Sequence, residues 1–341
     1  MKTSDFYYDL PERLIAQTPM EPRDAARMMV IHRDTGLRED RIFRDIIDYM
    51  NPGDVMVINQ TKVIPARLLG EKEDTTVPVE ILLLKRLDQN HWETLVRPGR
   101  RLKKGVTVSF GGGILRALIG DTTDAGGRIV EFIYGGIFEE LLDRLGEMPL
   151  PPYIHEKLAD PDQYQTVYAK QSGSAAAPTA GLHFTPELLE RIGKKGIQIV
   201  PVLLHVGLGT FRPVKVEDVS QHHMHSEYYE VTPEAASAIN TARRNGGRIV
   251  CIGTTSVRTL ETVADESGIV HPGMGDTSIF ITPGVRLKAT DVLLTNFHLP
   301  ESTLLMLISA LMGRDQALDA YREAVEKEYR FFSFGDCMLI L

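Results

Sequence analysis

Three histidines, His183, His205 and His298, each stand where one structural element is predicted to end and another to begin. Imidazole exchanges a proton near neutral pH, so histidine is the residue type best suited to general acid–base catalysis. A lone histidine at such a junction is weak evidence of a site. Three are more informative, because element ends on one side of a sheet can converge. We therefore predict that the three imidazoles meet in one pocket.

A strand, a tight turn and a helix are predicted over 248–260, which makes this segment the best local candidate for an anion or nucleotide site. A helix N-terminus offers unpaired N–H groups and the positive end of the helix dipole. Hydroxyls and a guanidinium could add to them, although a hydroxyl here could equally serve only to cap the helix. The candidate cofactor-binding residues are Gly253, Thr254, Thr255, Ser256 and Arg258.

Two uncharged segments could let a ligand lie close to the backbone. Gly207 and Gly209 follow a predicted buried strand, and ligands bind at strand ends in open α/β sheets. A turn that needs positive φ explains these glycines equally well, and the third glycine of a dinucleotide fingerprint is missing. The run of small residues around 175–182 adds Thr179 and Gly181 as cofactor-binding candidates.

His223, His225 and Glu227 alternate, so on a strand they would share one face. Such a set could hold a metal ion, but metal ligands usually follow a firmer spacing. A solvated or substrate-facing edge is the favoured interpretation, and no metal is predicted.

The elements that must position these residues form an α/β pattern with an all-strand stretch inside it. Residues 150–341 alternate helix and strand, with Thr-Pro-Glu helix starts at 185 and 232 and an apolar core helix that Pro300 is predicted to open. Residues 66–135 form short strands separated by turns, which is typical of a small antiparallel barrel. We predict a mixed α/β main domain built from both chain ends, 1–65 and 150–341, with an inserted small antiparallel β-barrel domain at 66–149.

Composition narrows the class of protein. The 341 residues are 43% hydrophobic and 25% charged, with two cysteines, which fits a globular chain of about two domains without a disulfide framework. The start has no apolar signal-peptide segment and no apolar run could span a bilayer, so we expect a cytoplasmic protein.

The net charge of −8 disfavours a non-specific nucleic-acid binder, but a local basic patch can still act over about 8–10 Å. Such a patch lies in the predicted barrel, where a solvated hairpin turn is the alternative interpretation. Its candidate RNA-binding residues are Arg97, Arg100, Arg101, Lys103 and Lys104.

Several long motifs then point to one family. They are NPGDVMVINQTKVIPARLLG at 51–70, AAPTAGLHFT at 176–185, HVGLGTFRPV at 205–214, IGTTSVRTLE at 252–261, TNFHLPESTLLMLISAL at 295–311 and FGDCML at 334–339. With an N-terminal segment that includes Arg23-Asp24, they resemble the S-adenosylmethionine:tRNA ribosyltransferase-isomerases of the queuosine pathway. The resemblance spans the whole chain. Its departures are mild: Met28-Met29 stands where leucine is expected, and Cys337 where a small residue is expected.

The resemblance implies an unusual reaction. The ribosyl portion of S-adenosylmethionine moves onto 7-aminomethyl-7-deazaguanine in a tRNA anticodon and is isomerised, giving epoxyqueuosine and releasing adenine and methionine. S-adenosylmethionine is thus consumed as a substrate, and tRNA is the partner. The resemblance also adds Asp24 to the catalytic candidates and implies an α/β domain with an inserted barrel. We expect a monomer that does not bind a membrane.

A polar mechanism suits these residues. A radical route would need a cluster held by three cysteines, and two distant cysteines cannot supply one. A polar route needs a base that takes a proton from the 5′ carbon beside the sulfonium, giving an ylide, and an acid that helps adenine to leave. Further acid–base steps would open the ribose and close the epoxide. The alternatives are a non-catalytic RNA-binding module and a methyltransferase, which would produce S-adenosylhomocysteine instead.

Overall fold

A computed structural model describes residues 1–123, 126–156, 158–207, 214 and 216–341. Within it the chain divides into two compact units. The first comprises Met1–Thr61, Pro152–Gln171 and Ala177–Leu341, and the second comprises Lys62–Pro151 and Ser172–Ala176.

The helices and strands follow one another in a mixed order. The strands are β1 (Arg27–Ile31), β2 (Arg38–Ile42), β3 (Val55–Asn59), β4 (Thr61–Val63), β5 (Arg67–Lys72), β6 (Pro78–Arg86), β7 (His91–Arg97), β8 (Thr107–Phe110), β9 (Leu115–Thr122), β10 (Arg128–Tyr134), β11 (Gly146–Glu147), β12 (Gln171–Ser174), β13 (Gln198–Leu204), β14 (Glu227–Val231), β15 (Ile249–Ile252), β16 (Gly273–Thr277), β17 (Val292–Asn296) and β18 (Cys337–Ile340).

The α-helices are α1 (Phe138–Leu145), α2 (Pro186–Lys194), α3 (Pro233–Arg244), α4 (Gly253–Val263), α5 (Thr303–Met312) and α6 (Arg314–Glu326). Short 3₁₀ helices cover Thr3–Phe6, Glu12–Leu14, Arg23–Ala25, Phe43–Tyr49, Gly111–Gly113, Pro161–Tyr164, Thr179–His183 and Val219–Gln221. None of the described helices is long and apolar enough to cross a membrane.

The first unit is built on a nine-stranded sheet with the order β16-β14-β13-β3-β15-β17-β18-β1-β2. Its central strands β13, β3, β15 and β17 run parallel to one another. The pairs β13–β14, β14–β16, β17–β18 and β1–β2 are antiparallel, while β18 and β1 are parallel. The sheet is therefore mixed, and the predicted mixed α/β class is confirmed.

The central strands are apolar except at their ends, because both faces of the sheet are covered. In β3, Val55 and Val57 join a core on the side of α3, α4, α5 and α6, whereas Met56 and Ile58 join a core on the side of α2 and the 3₁₀ helix Phe43–Tyr49. Successive strand residues point to opposite faces, so neither face has room for polar side chains. Polar side chains are therefore confined to the ends of these strands.

Helix starts follow their sequence signals with one correction. The Thr185 hydroxyl accepts a hydrogen bond from Leu188 N at 3.2 Å, and Thr232 caps α3 in the same way. Pro300 does not open the next helix: α5 begins at Thr303, because the Ser302 hydroxyl caps it. Helix α4 differs from these, since its N-cap residue is Ile252, which has no side-chain acceptor. Its first-turn N–H groups therefore have no capping side chain.

The second unit is a closed antiparallel barrel, as predicted. Strands β5, β6, β7, β10, β9 and β8 pair in that order, β5 pairs again with β8 to close the barrel, and β11 extends β5. Alternate residues fill its interior, among them Ile81, Leu83, Val108, Phe110 and Val130. Strands β5 and β11 are not predicted from the sequence.

An ion pair between the buried Asp54 and the partly exposed Arg248 joins the start of β3 to the start of β15. Asp54 accepts from the Arg248 side chain at 2.7 Å and from the backbone N–H groups of Asn51 and Arg248. Burial alone would raise the pKa of Asp54, but the Arg248 guanidinium and these N–H groups outweigh burial and hold that pKa below its usual value. The ionised carboxylate therefore stabilises the fold.

Replacing this carboxylate should destabilise the first unit. We expect Asp54→Asn to lower the free energy of unfolding at neutral pH by about 2–3 kcal/mol, because charged hydrogen bonds are lost at a buried site. The folded pKa of Asp54 is depressed, so its contribution is complete above the unfolded value and is lost as the pH falls through the folded value. Urea denaturation followed by circular dichroism measures this difference.

The matched control is Asp319→Asn, which breaks an exposed pair with Arg322. Exposed pairs contribute about 0.2–1 kcal/mol, so this change should be small. Equal losses in the two variants, or a loss in Asp54→Asn that does not shrink as the pH falls from the unfolded pKa of the carboxyl, would contradict the assignment.

Candidate functional site

A cavity lies at the carboxyl-terminal edge of the parallel strands in the first unit. Strands β15 and β17 are parallel neighbours, and the residues that follow them line the cavity. Its empty volume, counted together with the open mouth, is about 660 Å³. The lining residues are Tyr153, Ala177, Pro178, Thr179, Ala180, Val206, Gly253, Thr254, Thr255, Thr295, Asn296, His298, Leu299, Ser302, Leu304, Phe332 and Ser333. Within the described chain these side chains carry no formal charge.

The N-terminus of α4 forms one wall of the cavity. Gly253 makes the turn from β15 with a φ of +80°, a conformation that favours glycine. Thr254 and Thr255 follow and line the cavity. The Thr255 hydroxyl is enclosed by protein atoms and has no hydrogen-bond partner in the described chain. An uncapped helix end and a residue with an unused hydroxyl thus line the same space, and an anionic group there would accept from the helix N–H groups, and from the hydroxyl once its side chain turns toward the cavity.

His298 is the predicted histidine that lines the cavity itself. Its Nε2 lies 2.8 Å from Thr295 Oγ1. Burial lowers the pKa of His298 to about 3, so its imidazole is neutral at physiological pH. A neutral imidazole can accept a proton and does not repel a bound cation.

His183 lies one side chain behind the lining. Its Nε2 is 3.3 Å from Asn296 Oδ1, and Asn296 Nδ2 donates to the Phe332 carbonyl at 2.7 Å. Because the amide nitrogen is used in this way, Oδ1 is the acceptor and His183 Nε2 is the donor. Burial lowers the pKa of His183 to about 4, and the bond to Asn296 only partly offsets this.

His205 occupies a third position, at the end of β13. Its Nδ1 is 2.8 Å from Thr61 Oγ1, and its ring stacks on Tyr228 with centroids 5.9 Å apart. Burial lowers its pKa. The lining contains its neighbour Val206 but not His205. Among the described residues, therefore, His298 lines the cavity, His183 reaches it through Asn296, and a shared role for all three histidines stays a prediction.

Arg258 is engaged differently from the sequence expectation. Its Nη1 donates to Glu227, and both side chains are 3% exposed. Glu227 also accepts from Gly207 N at 2.9 Å. The guanidinium is therefore a buried tie between α4 and the segment after β13, not an open anion-binding fork. Its Nε and Nη2 are enclosed and have no hydrogen-bond partner among the described residues.

Other predicted residues have more local roles. The Ser256 hydroxyl donates to the Ile252 carbonyl within α4 at 2.8 Å, so it is not offered to the cavity. Thr179 lines the cavity, whereas Gly181 is buried outside the described lining. Asp24 Oδ1 lies 3.2 Å from Arg44 in an ion pair and is also outside this lining. Gly209 lies outside the described residues.

The alternating His223, His225 and Glu227 do not share a strand, because β14 begins only at Glu227. That carboxylate instead binds Arg258 and Gly207 N. No group of three potential metal ligands occurs in the described ranges.

The predicted RNA-binding residues lie in the barrel unit. Arg97 ends β7, and the other four follow in the turn-rich segment before β8. All five are exposed. Lys104 pairs with Asp121 at 2.6 Å, and no ion pair engages the remaining four in the described chain.

Several lining residues were missed by sequence reasoning. Thr295 and Asn296 stand at the end of β17, so the strand-end rule that selected His298 could also have found them. Tyr153 and Ser333 carry no such signal. They lie outside regular elements and meet through hydroxyls 2.6 Å apart, although 180 positions separate them.

Comparisons with known proteins agree with this fold. The family model described as "Queuosine biosynthesis protein" matches residues 3–340. S-adenosylmethionine:tRNA ribosyltransferase-isomerases from Symbiobacterium thermophilum and Caldanaerobacter subterraneus are 63% and 61% identical over 341 residues, covering all of both chains in each case.

A crystal structure is also similar. The S-adenosylmethionine tRNA ribosyltransferase of Thermotoga maritima is 42% identical, with a TM-score of 0.57 over 99% of this chain and 100% of that chain. Sequence identity and fold therefore agree along the full length, and this chain belongs to the queuosine biosynthesis family of S-adenosylmethionine:tRNA ribosyltransferase-isomerases, which are transferases.

Proposed function

We propose that the cavity at the sheet edge binds S-adenosylmethionine as a substrate. The chain then transfers and isomerises its ribosyl portion onto 7-aminomethyl-7-deazaguanine in tRNA. The products are epoxyqueuosine-tRNA, adenine and methionine. The reaction takes place in the cytoplasm, where the tRNA is found. The names of the relatives support the two substrates, and the remaining steps are the proposal.

The observation that carries the proposal is the uncapped N-terminus of α4 beside the unused Thr255 hydroxyl. Buried polar groups are almost always hydrogen-bonded, so a hydroxyl that has no partner in the described chain, on a residue that lines a cavity, marks the place of a missing acceptor. The methionine carboxylate of S-adenosylmethionine is an acceptor of the right charge for a helix N-terminus. We place that carboxylate there, in contact with Thr255 and the first-turn N–H groups.

Neutral histidines carry out the acid–base chemistry in this proposal. Burial lowers the pKa of His298 to about 3 and that of His183 to about 4, so both are unprotonated at physiological pH. Of the two, only His298 lines the described cavity, and its unprotonated imidazole is the form that can take a proton from the 5′ carbon next to the sulfonium, which gives the ylide. Further proton transfers by side chains then help adenine to leave, open the ribose and close the epoxide.

The two thiols support a polar route rather than a cysteine-held cluster. Cys251 packs in the core on one face of the sheet and Cys337 in the core on the other. Burial raises the pKa of each thiol, and a thiolate is the form that ligates metal ions.

Product analysis tests the proposal. The purified protein is incubated with S-adenosylmethionine, with and without tRNA that carries 7-aminomethyl-7-deazaguanine. Adenine and methionine in equal amounts, only when the modified tRNA is present, are the expected products. S-adenosylhomocysteine would indicate a methyltransferase, and tRNA binding without any small product would indicate an RNA-binding module. Either result would overturn the proposal.

The carboxylate site generates a prediction for Thr255. We expect Thr255→Val to raise the dissociation constant of S-adenosylmethionine about 10- to 100-fold, because a hydrogen bond to a charged group is lost. Isothermal titration calorimetry measures this constant. The control is Thr262→Val in the same helix, whose hydroxyl already donates to the Arg258 carbonyl at 2.7 Å. Wild-type affinity in Thr255→Val would place the carboxylate elsewhere.

The exposed basic residues of the barrel unit generate a prediction for tRNA affinity. Replacing Arg100, Arg101, Lys103 and Lys104 by alanine should weaken tRNA binding and flatten its salt dependence, by about 0.7–0.9 in the log–log slope for each phosphate that is no longer neutralised. Lys104 should contribute least, since it already pairs with Asp121. Filter binding across a salt series gives both quantities.

A matched control removes arginines of the same unit that are already paired. Arg86 binds Glu139 and Arg116 binds Glu73, so their replacement by alanine should leave the salt slope near that of the wild type. A quadruple variant that is folded and keeps wild-type affinity and slope would show that the RNA is held elsewhere.

A further inference from the structure

Every polar group of His298 except one makes a hydrogen bond within the described chain. Its backbone N–H donates to the Tyr321 hydroxyl at 3.1 Å, and its backbone carbonyl accepts from the Tyr8 hydroxyl. Its ring Nε2 lies 2.8 Å from Thr295 Oγ1. The side chains of Tyr8, Tyr321 and the nearby Thr295 thus converge on one residue of the cavity lining.

The two tyrosines are themselves fixed by packing. Tyr8 and Tyr321 are 2% and 0% exposed, and their rings meet edge to face with centroids 5.1 Å apart. Phe297 and Phe331 pack against Tyr321 in the same cluster. Burial raises the pKa of both tyrosines, so both hydroxyls stay protonated. The aromatic cluster is a rigid support for the backbone of His298.

The remaining polar group of His298 is Nδ1. In the described chain Nδ1 has no hydrogen-bond partner, and protein atoms do not fully enclose it. The residue lines the cavity, so this nitrogen opens onto it. Which ring nitrogen of a histidine carries the proton is set by the hydrogen bond that the other nitrogen makes.

We propose that Thr295, Tyr8 and Tyr321 are positioning residues that hold His298 with Nδ1 turned toward the substrate. Thr295 accepts from Nε2–H, which leaves the lone pair on Nδ1, and the tyrosines fix where that lone pair lies. The inference rests on the proposed function. In it, the proton passes from the 5′ carbon to Nδ1, the electron pair of the broken C–H bond stays on carbon beside the sulfonium, and Nε2 keeps its proton.

The tautomer can be measured without turnover. Long-range ¹H–¹⁵N spectra of the histidine rings, with the His298 signals assigned through His298→Gln, should show a neutral ring protonated at Nε2 in the wild type. Thr295→Val should lose this single tautomer and Thr295→Ser should keep it. A wild-type ring protonated at Nδ1 would overturn the inference, even in an enzyme that releases adenine.

Kinetics separate positioning from a purely structural role. We expect Thr295→Val to lower kcat on the order of 10- to 100-fold while the KM for S-adenosylmethionine stays within about threefold, since misplacing a catalytic group costs about this much. The isotope effect with substrate deuterated at the 5′ carbon should rise. Thr295→Ser should restore kcat, and Tyr321→Phe should show a smaller loss in the same direction.

The control is Tyr329→Phe. This tyrosine packs on Phe297 in the same cluster, but its hydroxyl donates to Asp40 at 2.6 Å and not to His298. It should keep wild-type kcat. A normal kcat in Thr295→Val, or a loss that tracks the folded fraction with no change in isotope effect, would overturn the inference. Failure of the wild type to release adenine would instead overturn the proposed function, and the NMR result would still decide the tautomer.

Discussion

The site depends on the parallel register of β15 and β17. Val250 pairs with Val292 and Ile252 with Leu294, so the two strands end side by side at one edge of the sheet. Both faces of these strands are committed to apolar cores, so only their ends can present polar groups. The start of α4 and the segment that carries His298 are brought together by this register alone.

Arg258, in the second turn of α4, is already engaged by Glu227. The Thr255 hydroxyl and two Arg258 nitrogens are enclosed and have no hydrogen-bond partner in the part of the chain that the structure describes. A buried donor left unpaired costs about 1–3 kcal/mol. A ligand that supplied an acceptor would recover part of this cost, which is why we place an anionic group at this end of the cavity.

Local sequence patterns predicted much of the fold but few of the contacts between residues that are distant in the sequence. The apolar strand Val292–Asn296 and the caps at Thr185 and Thr232 are set by neighbours a few residues away, and these were correct. Strand β5 was missed because its sequence is largely polar, and it becomes a strand by pairing with β6 and β8. Tertiary pairing of this kind overrides local preference.

The hydrogen-bond and ion-pair partners of the site residues could not be predicted from sequence spacing. Arg258 carried the expected charge at the expected helix end, but its Glu227 partner lies 31 positions away and changes its role. Asn296 meets His183 across 113 positions, and His298 meets Tyr8 across 290. Element ends can be located from the sequence, whereas the donor that each side chain uses depends on contacts made only in the folded chain.

The most direct test of this account is a crystal structure with an unreactive S-adenosylmethionine analogue in which nitrogen replaces the sulfonium. The account predicts the analogue in the cavity, with its carboxylate at the N-terminus of α4 within hydrogen-bond distance of Thr255 Oγ1, and with its 5′ carbon facing Nδ1 of His298. An analogue bound outside this cavity, or bound in it with the carboxylate directed away from α4, would contradict the account.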